Sequence, residues 1–206
     1  MDLKIGNPAM GAPENGMLTV GTAGLAQYYD IPSWCGSGIT GSKIPDAQAA
    51  YEFALNTTLS VLAGANILFC CGGIEYGLTF DYAKLIMDAA HIKNINLAKG
   101  GMGIDEETLA MDVIQGVGPG GEFLTHPHTM DHMRSMSSGG LFDRSSRDIW
   151  AEAAQGKNTT ERAYEKARQI IETHQPMPLP SGAAAVMKSI IAESEAELDI
   201  AKGGVR

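Results

Sequence analysis

Three stretches of this chain repeat apolar residues at helical spacing, and two short apolar runs lie between them. Over residues 18–29, Leu18, Thr22, Leu25 and Tyr29 recur on one face, with Gly21 and Gly24 permitting close packing, and Asp30 and Pro32 end the segment. Pro45 opens a second predicted helix, 45–62, whose face is Ala50, Phe53, Ala54, Thr57 and Val61, and Gly64 is placed to terminate it. A third, 80–92, carries Tyr82, Leu85, Ile86 and Ala89 at core spacing. The runs 33–36 and 65–71 lack alternation and read as strands, the second as a parallel strand covered on both faces. Strand, helix, strand, helix with short connections favours a right-handed parallel arrangement.

Elsewhere the pattern is helical or broken. Residues 2–5 read as the end of a strand and 6–16 as loop. Asp105 caps a predicted helix that runs to Gly116, and 117–128 is loop around at most one short strand. From about 129 onward only helices are expected: 129–135, 146–155, 160–174 and 181–202, the last two with charged, solvated outer faces. With three or four strands, one copy of the chain is not expected to close a barrel, and an open sheet leaves an edge for a helix, a partner chain or a missing half to cover.

Composition narrows the class. At 206 residues and 44% hydrophobic, the chain can bury a sizeable core as one domain or one large piece of a domain. A net charge of −9 argues against nucleic acid, whose phosphates demand a cationic face. No apolar run approaches about 18 residues and no basic-then-apolar leader opens the chain, so no membrane segment is expected. Three cysteines, two of them adjacent, make no disulfide framework, and the expected compartment is cytoplasmic.

Candidate chemistry gathers at the strand ends. Residues 36–42 form a loop in which Gly36, Gly38 and Gly41 are expected to take positive φ and admit a ligand closely, with Ser37 and Thr40 beside them; the alternative is an ordinary βα turn. Glu75 and Tyr76 follow the second strand. Trp34, Tyr76 and Phe80 are candidates to line a cage for a quaternary ammonium, with Glu75 as counter-charge, against the alternative of plain core packing. His126, His128 and His132 have a loose metal-like spacing, for which capping and packing is the preferred reading. Cys35, Cys70 and Cys71 read as small buried hydrophobes.

The segments AQYYDIPSWCGSGITGSKIPDAQAAYE, LAGANILFCCGGIEYGLTFDYAKLIMD and DEETLAMDVIQGVGPGGEFLTHPHT occur in an order that resembles the trimethylamine methyltransferase family over nearly the whole chain. The resemblance implies the C-terminal portion of a (β/α)8 TIM barrel, an α/β fold that alone takes roughly 250 residues, helix-rich at its C-terminus. Met1 would then be an internal start, a split gene or a truncated form. It also implies methyl transfer from a methylated amine to the cobalamin of a cognate corrinoid protein, with no cofactor or metal held directly. Family members that use trimethylamine carry pyrrolysine four residues before Lys-Val-Pro-Asp; here that motif reads Lys43-Ile44-Pro45-Asp46, which places Ile39 at the pyrrolysine position. The expected donor is therefore a quaternary amine such as glycine betaine, bound by Trp34, Ser37, Ile39, Thr40, Glu75, Tyr76 and Phe80, with no catalytic residue assigned. The chain is expected in a homo-oligomer or with the missing barrel half. The alternative is a catalytically inert fragment or an assembly subunit of a split methyltransferase.

Overall fold

The computed structural model describes residues 1–197. The chain divides into two units, Met1–Ile170 and Ile171–Arg206. Helix α1 spans Pro13–Tyr28, five residues earlier than the periodicity suggests, because Pro13 fits the first helical turn, where its missing N–H costs nothing. Its buried face is Gly16, Thr19, Ala23 and Ala26, while Leu18 and Leu25 point outward. The inversion follows from close packing on α2, Ala47–Leu62. The Ser60 hydroxyl donates to Thr19 Oγ1 at 2.9 Å across that contact, and a Cβ on Gly16 would stand 2.6 Å from Asn56 Oδ1. The glycine that lets the helices meet is thus Gly16, in the stretch expected as loop; Gly21 and Gly24 face open space.

Helix α2 is capped by Asp46, whose carboxylate accepts from the Ala49 amide at 2.9 Å, and ends at Ala63 before Gly64 at φ +81°. It joins β1, Trp34–Cys35, to β2, Ile67–Leu68, which pair in parallel with Trp34 opposite Ile67 and Cys35 opposite Leu68. This is the expected βαβ order. The expected burial on both faces is not found. Cys35 is buried toward α1, but Trp34 is 66% and Ile67 54% exposed, since no third strand or second helix layer covers that face among the described residues.

A hairpin follows where a single turn into helix was expected. β3, Gly73–Ile74, pairs antiparallel with β4, Thr79–Phe80, and Glu75, Tyr76 and Gly77 between them take φ of 52°, 60° and 90°. Helix α3, Tyr82–Lys99, then buries Ala83, Lys84, Met87 and Asp88; of the predicted face, Ile86 packs half-buried against this core and Leu85 is half-buried, while Tyr82 and Ala89 are exposed. The face is rotated because α3 itself carries a buried ion pair, Lys84–Asp88.

The rest is helical. One predicted helix over 105–116 is two, α4 Glu106–Leu109 and α5 Met111–Val117, broken at Ala110 with φ 48°. α6, Pro127–His132, and α7, Arg147–Ala153, follow, and residues 117–126 hold no strand. α8, Thr159–Thr173, anchors on the N-terminal ends of α2 and α3: the Thr160 hydroxyl donates to the Pro45 carbonyl and the Tyr164 hydroxyl to Asp81, both at 2.7 Å. α9 covers Ala183–Glu197, and positions 198–202 of that predicted helix lie outside the described residues. Residues 2–5 form a turn closed by an Asp2–Asn7 bridge, not a strand end. The described chain is thus a helix-rich α/β fragment containing one βαβ unit; a closed barrel is not present in it. No described helix is long and apolar enough to cross a membrane.

Candidate functional site

The glycine loop leaves β1 and is buried almost throughout. Ser37 and Thr40 are fully enclosed, and Ile39 is 6% exposed. Gly36, Gly38 and Gly41 are absent from the residues with positive φ, which corrects the expectation for this loop. What they supply is proximity. A Cβ on Gly38 would lie 2.6 Å from the Cys70 carbonyl carbon and the Cys71 nitrogen, one on Gly36 2.9 Å from the Phe69 ring, and one on Gly41 3.0 Å from the Tyr76 ring.

The hairpin lies along this loop like an irregular extra strand. The Thr40 amide donates to the Gly73 carbonyl at 3.4 Å, Tyr76 N–H to the Thr40 carbonyl at 2.9 Å, and Glu75 N–H to the Ser42 carbonyl at 2.7 Å. Ile39 is covered in consequence, with its Cδ1 3.7 Å from where a Cβ of Gly77 would be. It is packed beneath the hairpin, does not stand at an open mouth and is not among the residues that line the cleft beside the loop.

Helix side chains tie the loop down. Glu52 Oε2 accepts from the Gly41 amide at 2.7 Å and from the Thr40 hydroxyl, and its other oxygen accepts from Gln48 at 2.7 Å. Asn56 donates to the Gly11 carbonyl at 2.8 Å, while its Oδ1 is buried without a hydrogen-bond partner. The Ala49 amide, and after it the Ser42 hydroxyl, hold the Asp46 carboxyl below its usual range. Beneath the loop, Lys84 Nζ contacts both Asp88 oxygens at 2.8 and 2.6 Å and the Gly38 carbonyl at 3.2 Å, and lies 4.6 Å from the centre of the Phe53 ring. Asp88 Oδ2 also accepts the Gly72 amide at 2.8 Å. Burial pushes the Asp88 carboxyl up to about 6, against the pull of the Lys84 ammonium and the Gly72 amide. His91 stacks between Phe53 and Phe142, and burial followed by the Lys84 charge keeps its imidazole below the ordinary value.

A cleft of about 710 Å3 opens beside the loop. Its lining includes Gly41, Glu52 and Tyr76 together with Met10, Glu14 and Leu18. Carboxylates outnumber cations there: Asp2, Glu14 and Glu52 against Lys4.

The predicted aromatic trio does not share ring contacts. Tyr76 meets the loop and takes the Lys43 ammonium 5.1 Å from its ring centre. Trp34 packs on Phe69 and Phe80 on Tyr82. The Glu75 carboxylate accepts from the Thr79 hydroxyl within the hairpin. Of the candidates, Ser37, Ile39, Thr40, Glu75 and Tyr76 are thus gathered at the loop and hairpin, and Trp34 and Phe80 pack on other rings. His128 and His132 stack at 4.3 Å between ring centres beside Glu107. Among the described residues no three His, Cys, Asp or Glu side chains are grouped to hold a metal. The cysteines are free, and burial raises all three thiols.

Sequence reasoning passed over Glu52, Lys84 and Asp88. A signal existed for the last two: Lys84, Asp88 and His91 repeat at i, i+4 and i+7 within the otherwise apolar stretch YAKLIMDAAHI, the spacing of one polar stripe.

Comparison with known proteins adds an independent line. The family model described as trimethylamine methyltransferase (MTTB) matches residues 1–199. The chain is 48% identical over 202 residues, 98% of its length, to the trimethylamine methyltransferase MttB of Desulfitobacterium hafniense (strain DSM 10664 / DCB-2), of which it covers 40%. It is 34% identical over 94% of its length to the MttB of Methanosarcina barkeri, covering 39% of that protein. It is 35% identical over 96% of its length to the glycine betaine methyltransferase of Desulfitobacterium hafniense (strain Y51), covering 41% of it. The chain therefore spans about 40% of the length of the curated relatives it matches.

Proposed function

The chain belongs to the trimethylamine methyltransferase family, and from that premise we propose that it serves a methyltransferase whose donor is a quaternary methylated amine of the glycine betaine type. The observation that carries the choice of donor is Ile39. Relatives bear both trimethylamine and glycine betaine names, so the family alone leaves the donor open. The position that in trimethylamine users holds an electrophilic residue is here a buried aliphatic side chain under the hairpin. A tertiary amine is a poor methyl donor unless something adds to its nitrogen, and isoleucine offers nothing to add. A quaternary ammonium needs no such help, because breaking its C–N bond leaves the electron pair on nitrogen and releases a neutral amine.

The methyl acceptor in this reading is cob(I)alamin on a cognate corrinoid protein, which supplies the nucleophile. This chain supplies binding and orientation. The cleft beside Gly41 is lined by Tyr76 and by the Glu14 and Glu52 carboxylates, a setting that attracts a cation by cation–π contact on the ring face away from Lys43 and by charge contacts, of order 0.5 to 2 kcal/mol each. Holding the ammonium so that its methyl faces the acceptor in line is where rate is gained; binding the ground-state cation more tightly adds nothing to the chemical step. The open Trp34–Ile67 face and the unpaired strand edges favour completion of the sheet by further βα units toward a TIM barrel. In this reading those units belong to the part of the relatives that this chain does not match. The second reading, an inert or assembly subunit, rests on the same open face.

Tyr76→Leu tests the site. It removes the π-face and is expected to weaken calorimetric binding of glycine betaine about five- to thirty-fold, or about 1 to 2 kcal/mol, without unfolding the chain. Unchanged affinity would remove Tyr76 from the site.

A further inference from the structure

We propose that the buried Lys84–Asp88 pair is a positioning device that holds the loop after β1 against the loop after β2. The inference rests on reading those loops as the amine site. Both side chains are essentially without solvent, at 0% and 1% exposure. Burying two charges rarely raises net stability, and apolar replacements of similar volume are often neutral or better. Lys84 also sits in the first turn of α3, where the helix dipole disfavours a cation. Stability alone therefore gives no reason for a lysine there.

The partners do. Outside its own helix the pair holds two backbone atoms: the Gly38 carbonyl, at the centre of the glycine loop, and the Gly72 amide, one residue before the hairpin. A methionine–leucine pair could fill the same space and hold neither. The two loops already touch where Gly38 passes Cys70 and Cys71 without a Cβ between them. The ion pair fixes their orientation at that contact, and with it the line of the hairpin that carries Glu75 and Tyr76 over Ile39. Phe53 covers the ammonium, and His91 stacks on the Phe53 ring.

The variant is Lys84→Met with Asp88→Leu, both charges removed together, in the full chain. Three quantities are measured: thermal midpoint, site-resolved amide hydrogen exchange by NMR, and calorimetric binding of glycine betaine. Positioning requires a midpoint equal to or above wild type, amide exchange at 38–42 and 72–76 accelerated roughly tenfold or more, and unchanged exchange in the middle of α2 and α3. Betaine affinity falls about fivefold or more. A structural role would instead accelerate exchange throughout and lower the midpoint. That outcome, failure of the double variant to fold, or unchanged exchange at the two loops each overturns the proposal. If wild type binds no quaternary amine, the amine reading fails by itself, and the loop exchange still decides whether the pair positions the loops.

Discussion

Gly38 is where a single atom matters most. Its missing Cβ leaves room for the Cys70–Cys71 backbone, which cannot retreat as a side chain would. Gly38→Ala is expected to cost about 2 to 4 kcal/mol in urea unfolding. Gly21→Ala, on the open side of α1, is expected to stabilise by about 0.5 to 1 kcal/mol, since only backbone entropy changes there. Equal effects would mean that the loop is not packed as described. Asp88 gives a pH test. Its folded pKa, about 6, lies above its ordinary 3.8, so its proton-linked stabilisation is present below about pH 4 and is lost as pH rises through 6. Wild type should therefore gain on Asp88→Asn by about 1 to 3 kcal/mol as pH falls from 7 to 4. A flat difference, or one of opposite slope, would show that burial does not dominate that carboxyl.

At the scale of elements, α8 is the brace across the starts of α2 and α3, and Ala163 at its contact face is completely enclosed. Ala163→Leu should destabilise by about 1 to 3 kcal/mol through overpacking, whereas Lys166→Leu on the exposed side should be nearly neutral in the same denaturation assay. The brace was visible in the sequence only as a helix. α2 was more fully legible, because Pro45, the Phe53, Thr57 and Val61 stripe and Gly64 all point to one helix. The parallel pairing of the flanking strands followed from it. α1 was placed but turned the wrong way and α3 only partly the right way, since periodicity assigns the large apolar side chains to the core. Here the α1 contact needed small residues, and the α3 contact held a charge pair. The hairpin was hidden because GGIEYGLTF has no alternation, and its turn puts Glu and Tyr in a left-handed conformation that neither residue favours. Such strain is held by the loop beneath it and is common at working sites. Around the candidate site, the motif and the strand end pointed to Ile39, Thr40 and Tyr76, of which Tyr76 alone lines the cleft. Glu52 was not, because nothing in a helix sequence tells which exposed-looking carboxylate will reach back to a loop.

For the whole molecule, the open Trp34–Ile67 face is the unfinished part. Joining the chain to the portion of the relatives that it does not match should bury Trp34, which a blue shift and enhanced fluorescence would report in a Trp150→Phe background. Emission unchanged in the completed protein would count against that cover. The central claim concerns the donor. Its most direct test is methyl transfer to cob(I)alamin on the cognate corrinoid protein, followed by the cobalamin absorbance change, with glycine betaine and trimethylamine compared side by side in the completed assembly. The account predicts transfer from glycine betaine and none above background from trimethylamine, with Ile39 unable to activate a tertiary amine. Transfer from trimethylamine at a matching rate would contradict it.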